Sequence, residues 1–369
     1  MRIHIIYQNF LNKNGKGMSI GGIQTYLLNL SRLFQEIGQE VFIYQRSDVE
    51  FVHIYEGIKV YGFVLKKKRS NFYKELYTRA RSNMKQEDFL IFGDDSFIVN
   101  HDIKNSIAIQ HGIFWDKPYR LNCSRLVFAL DYIVQSYSSW KIVNRIKQVK
   151  QVVCVDYNFI NWYRALVAHP RVGINIIPNF SRIPEREILK PEGIHIIFAR
   201  RFFDYRGTRI FASAICKVLD LYPDIKVTLA GEGPDENYLK KKLGKYSQVS
   251  ITRYDSSESL EMHNDKHIAV VPTLGSEGTS LSLLEAMASK CAVICTNVGG
   301  MTNIVIDRYN GLMINPGEQE LYDALIELIQ DMNLRNRLSS NAYNTVINGF
   351  SYNLWADRWK NILKMSECE

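Results

Sequence analysis

Short apolar runs alternate with longer amphipathic segments along this chain, and the alternation occurs twice within its 369 residues. Several runs are continuous Val/Ile stretches, which are typical of parallel strands covered on both faces. Strand–helix alternation predicts parallel sheets with crossover helices, so two series predict an α/β protein with two doubly wound domains. The predicted strands are Ile3–Tyr7, Glu40–Tyr44, Ile58–Phe63, Phe89–Gly93, Ser106–Gln110, Tyr132–Gln135, Gln151–Val155 and Ile174–Ile177, then His195–Ala199, Lys226–Ala230, Val249–Tyr254, Ile268–Pro272, Ala292–Thr296 and Leu312–Ile314.

The segment Asn179–Gly193 separates the two series, because it carries two prolines and many charges without a strand period. We therefore predict domains at residues 1–180 and 181–350, followed by a C-terminal segment at 351–369. In that segment Leu354, Trp355, Trp359 and Leu363 lie at helical spacing, which predicts a final amphipathic helix.

Charge is distributed unevenly between the two halves. Residues 1–180 carry 24 Lys and Arg against 14 Asp and Glu, a net charge of +10, whereas the remainder carries 22 against 24, a net of −2. A basic half indicates an anionic partner. Lys66–Lys85, in which Phe72, Leu76 and Ala80 share one helical face, and Trp140–Lys150 are candidate interfacial helices on anionic lipid, or else ordinary solvated helices.

Other classes of protein receive little support from the composition. No apolar run approaches the length of a membrane span, about 18 residues, so any membrane contact is expected to be peripheral. The six cysteines have neither zinc-site nor thioredoxin spacing, which indicates reduced thiols in a cytosolic protein. No aromatic-interleaved basic motif predicts binding to nucleic acid.

The stretch Thr273–Gly300 carries the most chemistry. A predicted strand runs into a Gly/Ser/Thr loop and then a helix that is expected to begin near Thr279, and free N–H groups at a helix start bind phosphate. Glu277 and Glu285 lie eight residues apart, which would place both carboxylates on one side of that helix. A carboxylate can accept two hydrogen bonds from a sugar diol. The alternative to a sugar-binding role is structural: Glu277 would only interact favourably with the helix dipole, and Glu285 would be a solvated helix residue.

Further candidate residues follow other predicted strands. Three arginines follow the predicted strand His195–Ala199. A Gly-x-Gly-Pro sequence follows Lys226–Ala230, and by itself such a sequence is more often a tight turn than a binding site. Two cations over a diphosphate stabilise a leaving group, although a solvated basic loop is the alternative. The glycine pair Gly21-Gly22 precedes an amphipathic helix. His111 follows the end of a predicted strand, and two aromatic residues come after it. The pair Asp94-Asp95 follows another predicted strand and is expected to cap a loop. These residues are Arg200, Arg201, Arg206, Gly231, Gly233, Gly21, Gly22, His111, Phe114, Trp115, Asp94 and Asp95.

The chain resembles glycosyltransferase family 4 on specific motifs. These are the Glu-x7-Glu spacing of Glu277 and Glu285 with its LLEAMA helix, then Asn297–Gly300, Asn310–Leu312 and Pro316–Gly317. The resemblance is strongest over residues 194–317. It departs where many members have Gly-Phe-Gly and this chain has Gly278-Thr279-Ser280, and where Arg206 stands in place of a lysine.

The resemblance implies a role for each matching residue. Glu277 would face the donor sugar and Glu285 would bind the ribose of the nucleotide. Arg201 and Arg206 have the family spacing for the diphosphate, with Arg200 as the alternative to Arg201. His111 would approach the donor sugar, and the remaining donor contacts would be Gly21, Gly22, Gly231, Gly233, Tyr254, Gly278, Thr279, Ser280 and Leu281.

The resemblance also implies an architecture and an activity. The fold would be GT-B, with two Rossmann-like domains facing across a cleft and the last helix returning to the first domain. The activity would be retaining transfer, without a metal or other cofactor, from a UDP- or GDP-sugar to a glycan or lipid-linked acceptor. The setting would be bacterial surface polysaccharide or lipopolysaccharide synthesis in the cytoplasm, including the inner face of the membrane.

Two rival functions make different predictions. A dinucleotide oxidoreductase requires Gly-x-Gly-x-x-Gly after a strand and an acidic residue further on, and neither half shows this pattern. A non-catalytic protein of the same fold would bind a nucleotide-sugar or polysaccharide without turnover. The departures at Ser280 and Arg206 are compatible with that second reading.

Overall fold

The computed structural model describes residues 2–19, 21–66, 72–113, 116, 124–168, 172–185, 187–254, 258–275 and 277–367, with side chains to residue 364. The chain divides into two compact units. The first comprises residues 1–111, 124–177 and 359–369, and the second comprises residues 178–358 together with 112–123. The acceptor-binding and donor-binding roles assigned to the domains stay predictions.

The first unit contains an eight-stranded sheet. In chain order its strands are β1 (Arg2–Ile6), β2 (Glu40–Arg46), β3 (Phe51–Tyr55), β4 (Ile58–Phe63), β5 (Phe89–Phe92), β6 (Asn105–Gln110), β7 (Gln151–Cys154) and β8 (Gly173–Ile176). They lie in the order β3-β4-β2-β1-β5-β6-β7-β8, and every pair is parallel except the hairpin β3–β4. The helices of this unit are α1 (Gly22–Glu36), α2 (Phe72–Arg81), α3 (Arg125–Ile146) and α4 (Tyr157–Leu166).

One strand prediction in this unit is wrong, and one strand was not predicted. Tyr132–Gln135 lies inside helix α3, because its four residues belong to a stretch of 22 without Gly or Pro, and Ser124 caps that stretch by accepting a hydrogen bond from the Val127 amide. Strand β3 was not predicted. Its hairpin turns at Glu56 and Gly57, both with positive φ, and Glu-Gly is a weak signal for such a turn.

The second unit contains a six-stranded sheet. Its strands are β9 (His195–Ala199), β10 (Lys226–Ala230), β11 (Val249–Thr252), β12 (Ile268–Val271), β13 (Ala292–Thr296) and β14 (Leu312–Ile314). They pair in parallel in the order β11-β10-β9-β12-β13-β14, which is the 3-2-1-4-5-6 order of nucleotide-binding doubly wound sheets. The helices are α5 (Thr208–Leu221), α6 (Glu236–Leu243), α7 (Leu281–Ala288), α8 (Glu318–Gln330), α9 (Met332–Gly349) and α10 (Tyr352–Glu367).

Apolar layers cover both faces of the second sheet. Ile196 and Phe198 of β9 face a core shared with α5 and α8, whereas Ile197 and Ala199 face a core shared with α7. The alternation along one strand follows from the two-residue period of β-structure. This arrangement confirms the predicted doubly wound architecture.

Helix α10 is divided between the two units, as the predicted return to the first domain requires. Trp355 packs within the second unit against Phe180, with ring centroids 4.7 Å apart. Trp359 is fully buried in the first unit, where its indole N–H donates to the Tyr26 hydroxyl at 2.9 Å. Among the described residues, no helix is long and apolar enough to cross a bilayer.

Burial corrects the predicted lipid contact of α2. Phe72, Leu76 and Ala80, the apolar face expected to meet a bilayer, are buried in the core of the first unit. Arg79 and Arg81 form ion pairs with Glu50 and Asp102. Residues 67–71 of the basic run lie outside the described residues, so the prediction there rests on charge alone.

Candidate functional site

Strands β9 and β12 mark the point at which the strand order of the second sheet reverses. They pair only at Ile268–Ile196 and Ala269–Ile197 and are no longer paired toward their carboxyl ends. In open parallel sheets, ligands bind in the crevice outside the carboxyl ends at such a switch point. The segments that follow these two strands carry Arg200 and Arg206 on one side and Thr273 and Glu277 on the other.

Two guanidinium groups and one carboxylate meet at this crevice. Arg200 Nη2 donates to Glu277 Oε2 at 2.7 Å, and Arg206 Nη1 donates to the same oxygen. The Thr273 hydroxyl donates to that oxygen at 3.1 Å and itself accepts from Arg200 Nη1. The side chains of Arg200, Arg206 and Glu277 are only 6%, 17% and 10% exposed, so water screens their interaction weakly.

The charges of this cluster hold one another in place. Burial alone would raise the pKa of Glu277, but the Arg200 and Arg206 guanidiniums outweigh it and leave the pKa below the usual value. Burial lowers the pKa of Arg200, and the Glu277 carboxylate opposes that shift. Two cations and one anion leave a net charge of +1 in a confined crevice, which favours an anionic ligand.

Arg201 does not join this cluster, which corrects the predicted Arg201–Arg206 pair. Its side chain is exposed, and its guanidinium carbon lies 5.4 Å from the Phe203 ring centroid. Successive side chains of an extended segment point to opposite sides, so the inward orientation of Arg200 leaves Arg201 outside. The alternative residue, Arg200, therefore contacts Glu277.

Glycines bring the surrounding loops close to this cluster. A Cβ at Gly231 would lie 2.1 Å from the Arg200 carbonyl oxygen, and one at Gly233 would lie 2.4 Å from the Phe202 carbonyl oxygen. Gly231 and Gly233 also have φ values of 150° and 154°, which L-residues rarely adopt. The Gly-x-Gly turn therefore packs directly on the backbone that carries Arg200.

A second pair of glycines supports the segment that carries Glu277. The Gly300 amide donates to the Glu277 carbonyl at 2.9 Å. A Cβ at Gly299 would lie 2.2 Å from the same oxygen, and one at Gly300 would lie 2.5 Å from the Gly278 carbonyl group. Neither glycine is among the donor-site residues predicted from the sequence, although both belong to a motif of the resemblance. Thr273 is also absent from that prediction, although it directly follows a predicted strand.

Helix α7 begins at Leu281, two residues later than predicted, with Ser280 as its N-cap residue. Glu277 lies before the helix, as predicted, so helical periodicity does not fix the direction of its side chain relative to that of Glu285. Thr279 and Ser280 are buried, and the Thr279 carbonyl accepts a hydrogen bond from Asn179. Gly278 to Leu281 form the approach to the helix start, while Ser276 lies outside the described residues.

Glu285 belongs to a second polar group near the same crevice. Its Oε2 accepts a hydrogen bond from the Ser259 hydroxyl at 2.5 Å. Burial raises the pKa of Glu285 to about 7. Burial and the nearby Glu285 charge raise the pKa of Tyr254 to about 12, and the Arg200 charge also acts on this phenol. Tyr254 therefore lies within electrostatic range of both Glu285 and Arg200.

The remaining predicted residues belong to the first unit. Gly21 and Gly22 precede and begin α1, whose start has no side-chain cap. His111 Nε2 lies 2.9 Å from the Gly93 carbonyl oxygen, so neutral His111 carries its proton on Nε2 and presents Nδ1 as an acceptor. Asp94 accepts a hydrogen bond from the Ser96 amide, as expected of a loop cap. Phe114 and Trp115 lie outside the described residues.

Residues 179–345 match the family model of glycosyl transferases group 1. An uncharacterized glycosyltransferase of Methanocaldococcus jannaschii is 22% identical over 86% of this chain and 79% of that protein. The gpi3 subunit of phosphatidylinositol N-acetylglucosaminyltransferase of Schizosaccharomyces pombe is 22% identical over 84% of this chain and 70% of that protein. HepE of Anabaena in complex with UDP-glucose superposes with a TM-score of 0.74 over the full length of both chains at 13% identity.

Proposed function

We propose that this chain, a glycosyltransferase of group 1 with the GT-B fold, transfers a sugar from a UDP- or GDP-sugar to a glycan or lipid-linked acceptor with retention of configuration. The observation that carries this proposal is the convergence of Arg200 and Arg206 on Glu277 at the switch point of the second sheet. A diphosphate needs two or more cations, and a sugar needs an acceptor for its hydroxyl groups.

The proposed roles follow from the geometry of the second unit. Arg200 and Arg206 bind the donor diphosphate and stabilise the charge that develops as the glycosidic bond breaks. Glu277, which the two arginines hold ionised, accepts hydrogen bonds from the transferred sugar. The backbone amides at the start of α7, near Ser280 and Leu281, lie at the positive end of a helix and suit a phosphate oxygen.

The nucleotide would occupy the neighbouring polar group. Glu285, fixed by Ser259, accepts both ribose hydroxyls, and Tyr254 lies beside the base. Gly231 and Gly233 give the nucleotide a close approach to the loop after β10. In the first unit, His111, Gly21 and Gly22 are the residues to which the family resemblance assigns donor contacts, and His111 Nδ1 is available as an acceptor.

The proposed transfer proceeds on one face of the sugar. The acceptor hydroxyl attacks from the side on which the diphosphate departs, and a donor phosphate oxygen takes its proton. No resident metal is part of this proposal, because the two guanidiniums supply the positive charge. Within the part of the chain that the structure describes, no three His, Cys, Asp or Glu side chains cluster as metal ligands would.

The setting that we propose is surface polysaccharide or lipopolysaccharide synthesis at the cytoplasmic face of a membrane. The net charge of +10 on residues 1–180 supports a peripheral contact with anionic lipid. The phosphatidylinositol N-acetylglucosaminyltransferase relative supports an acceptor that carries a lipid. Of the two segments predicted to make this contact, Trp140–Lys150 keeps Trp140, Lys141 and Lys147 exposed, whereas the apolar face of α2 within Lys66–Lys85 is buried.

Calorimetry with a panel of UDP-, GDP- and ADP-sugars tests the donor assignment, followed by assays of donor hydrolysis and of transfer. We expect one nucleotide class to bind and its sugar to be released. NMR of the product then reports the anomeric configuration. Tight binding without any hydrolysis or transfer would favour a non-catalytic binding protein, and the absence of binding to every donor would contradict the proposal.

A further inference from the structure

The helix α3 presents a continuous apolar stripe to solvent. Leu126, Leu130, Ile133, Tyr137 and Trp140 follow one another at intervals of four, three, four and three residues, which places them along one side of a helix. All five are between 55% and 71% exposed. We call these five residues the outer face of α3.

The opposite side of α3 packs against the first unit at its C-terminal end. Ile142 and Ile146 are buried there, so the helix is anchored while its outer face stays exposed. Single exposed apolar residues are common on protein surfaces, but a contiguous row of large ones marks an interaction surface. The outer face of α3 is therefore expected to bind a partner.

Charge around the outer face indicates an anionic occupant. Residues 124–150 carry five Lys and Arg but one acidic residue, Asp131, which is half-buried. The cations Arg125, Lys141 and Lys147 are exposed near the two ends of the stripe. Pairing of the stripe with a second copy of itself would bring Lys141 level with either another Lys141 or Arg125, which repel each other.

Aromatic residues on the outer face indicate that the partner is a lipid bilayer. Tyr137 and Trp140 stack with ring centroids 6.1 Å apart, and both are more than half exposed. Tyr and Trp rings favour the headgroup level of a bilayer, where their apolar rings and polar tips are both satisfied. Aliphatic residues on one face, flanked by cations, favour insertion at the acyl boundary.

We propose that the outer face of α3 lies in the surface of an anionic phospholipid bilayer and anchors the protein there. This proposal deepens the peripheral contact proposed above and depends on that part of the function alone. Leu126, Leu130 and Ile133 enter the acyl boundary, while Lys141 and Lys147 contact lipid phosphates. The contact thus centres on residues 126–140 and not on the buried face of α2.

Co-sedimentation of the full chain with vesicles tests this proposal. The vesicles are phosphatidylcholine mixed with phosphatidylglycerol, and pure phosphatidylcholine is the comparison. We expect binding to the anionic vesicles, and we expect the combined change Leu130→Gln, Ile133→Gln and Trp140→Gln to lower the partition coefficient about tenfold or more. The variant Lys141→Glu with Lys147→Glu should remove the preference for anionic lipid.

The matched control is Val52→Gln with Ile54→Gln on β3, which changes two other exposed apolar residues of the same unit. It should bind vesicles like the unchanged protein. Equal loss in the control, or no loss in the α3 variant, would overturn the proposal. Sedimentation velocity without lipid gives the other decisive outcome, since a dimer that the α3 variant converts to monomer would identify a second copy as the occupant.

Donor hydrolysis in solution separates this proposal from the sugar transfer. The α3 variant should hydrolyse the donor at the unchanged rate, because these side chains lie outside the donor site. If the unchanged protein binds vesicles but neither hydrolyses nor transfers from any donor, the transfer proposal fails and the membrane proposal stands. If it hydrolyses donor but never binds anionic vesicles, the membrane proposal fails alone.

Discussion

The carboxylate of Glu277 accepts hydrogen bonds from two guanidiniums through one oxygen, while Arg201 next to them in the chain stays in solvent. Arg200 and Arg201 thus have the same charge and nearly the same place in the sequence but different surroundings. Comparing variants of Arg200 and Arg201 therefore separates the effect of an arginine's position on catalysis from the effect of its charge.

We expect Arg200→Ala to lower kcat about 100-fold, because a buried cation that stabilises developing charge is removed. Steady-state kinetics with the preferred donor measure this effect. Arg201→Ala is the matched control and should keep kcat and KM within about twofold. Arg200→Lys keeps the Glu277 charge compensated, so a deficit in this variant as well would show that guanidinium geometry matters beyond stability. Equal effects of the two alanine variants would contradict the assignment.

Glu285 should make donor binding depend on pH near neutrality. Burial raises the pKa of this carboxyl to about 7, and only the ionised form can accept both ribose hydroxyls. The affinity should therefore be full above pH 7 and fall about tenfold per pH unit as the pH drops below it. Calorimetry with a UDP-sugar measures this slope, since its diphosphate diester does not titrate in the same range.

Glu285→Gln supplies the control for this pH dependence. The amide keeps the shape of the side chain but cannot ionise, so binding should be weaker and independent of pH. The sign for stability is opposite to that for affinity, because a raised pKa means that the folded protein loses stability as the pH rises toward 7. A slope that persists in the glutamine variant would assign the titration to another group.

Among the elements, the strands of the second sheet could be predicted closely from sequence. The apolar runs of β9, β12 and β13 are buried on both faces, so hydrophobicity alone marks them, and His195–Ala199 and Ala292–Thr296 match the structure residue for residue. Tyr132–Gln135 failed for the converse reason. Its apolar residues are exposed on a helix, so hydrophobicity there reflects a surface and not a strand.

The site could be predicted in part at this scale. Glu277 and the arginines were identified because they follow predicted strands, but their mutual contacts join residues 71 and 77 positions apart in the chain. Whether Arg200 or Arg201 points toward Glu277 depends on the backbone conformation directly after β9, and no local sequence pattern predicts that conformation. The partners Thr273 and Ser259 depend on the same kind of long-range placement.

The loop after β13 should control the position of Glu277. A Cβ at Gly300 would lie 2.5 Å from the backbone of Gly278, so Gly300→Ala must displace the segment that carries the carboxylate. We expect kcat/KM to fall about tenfold or more, because small displacements of positioning groups are costly. Gly349→Ala is the matched control, since a Cβ there meets nothing within 4 Å. Full activity of the Gly300 variant would contradict this role.

At the scale of the whole molecule, α10 contributes one buried tryptophan to each unit. Trp355 packs with Phe180 in the second unit, and Trp359 packs in the first, where it contacts Phe34 and donates to Tyr26. The C-terminal helix therefore completes two cores, and neither core is continuous in sequence. Helical spacing alone predicted that both tryptophans are buried, but not that they belong to different cores.

This division predicts that two substitutions four residues apart weaken different units. Trp359→Ala should destabilise the first unit by about 3–5 kcal/mol, because it leaves a large cavity and removes the hydrogen bond that the indole donates to Tyr26. Trp355→Ala should destabilise the second unit by a similar amount. Scanning calorimetry with and without the donor nucleotide distinguishes the units, since a ligand of the second unit raises the transition of that unit.

The exposed residue Asn361 on the same helix supplies the control, and Asn361→Ala should leave both transitions unchanged. Tyr26→Phe removes the hydroxyl that accepts a hydrogen bond from Trp359 and should destabilise the first unit by about 1 kcal/mol. If Trp359→Ala instead lowered the donor-sensitive transition, Trp359 would belong to the stability of the second unit. The assignment of α10 to both cores would then be wrong, because a helix that completes two cores must affect each through its own tryptophan.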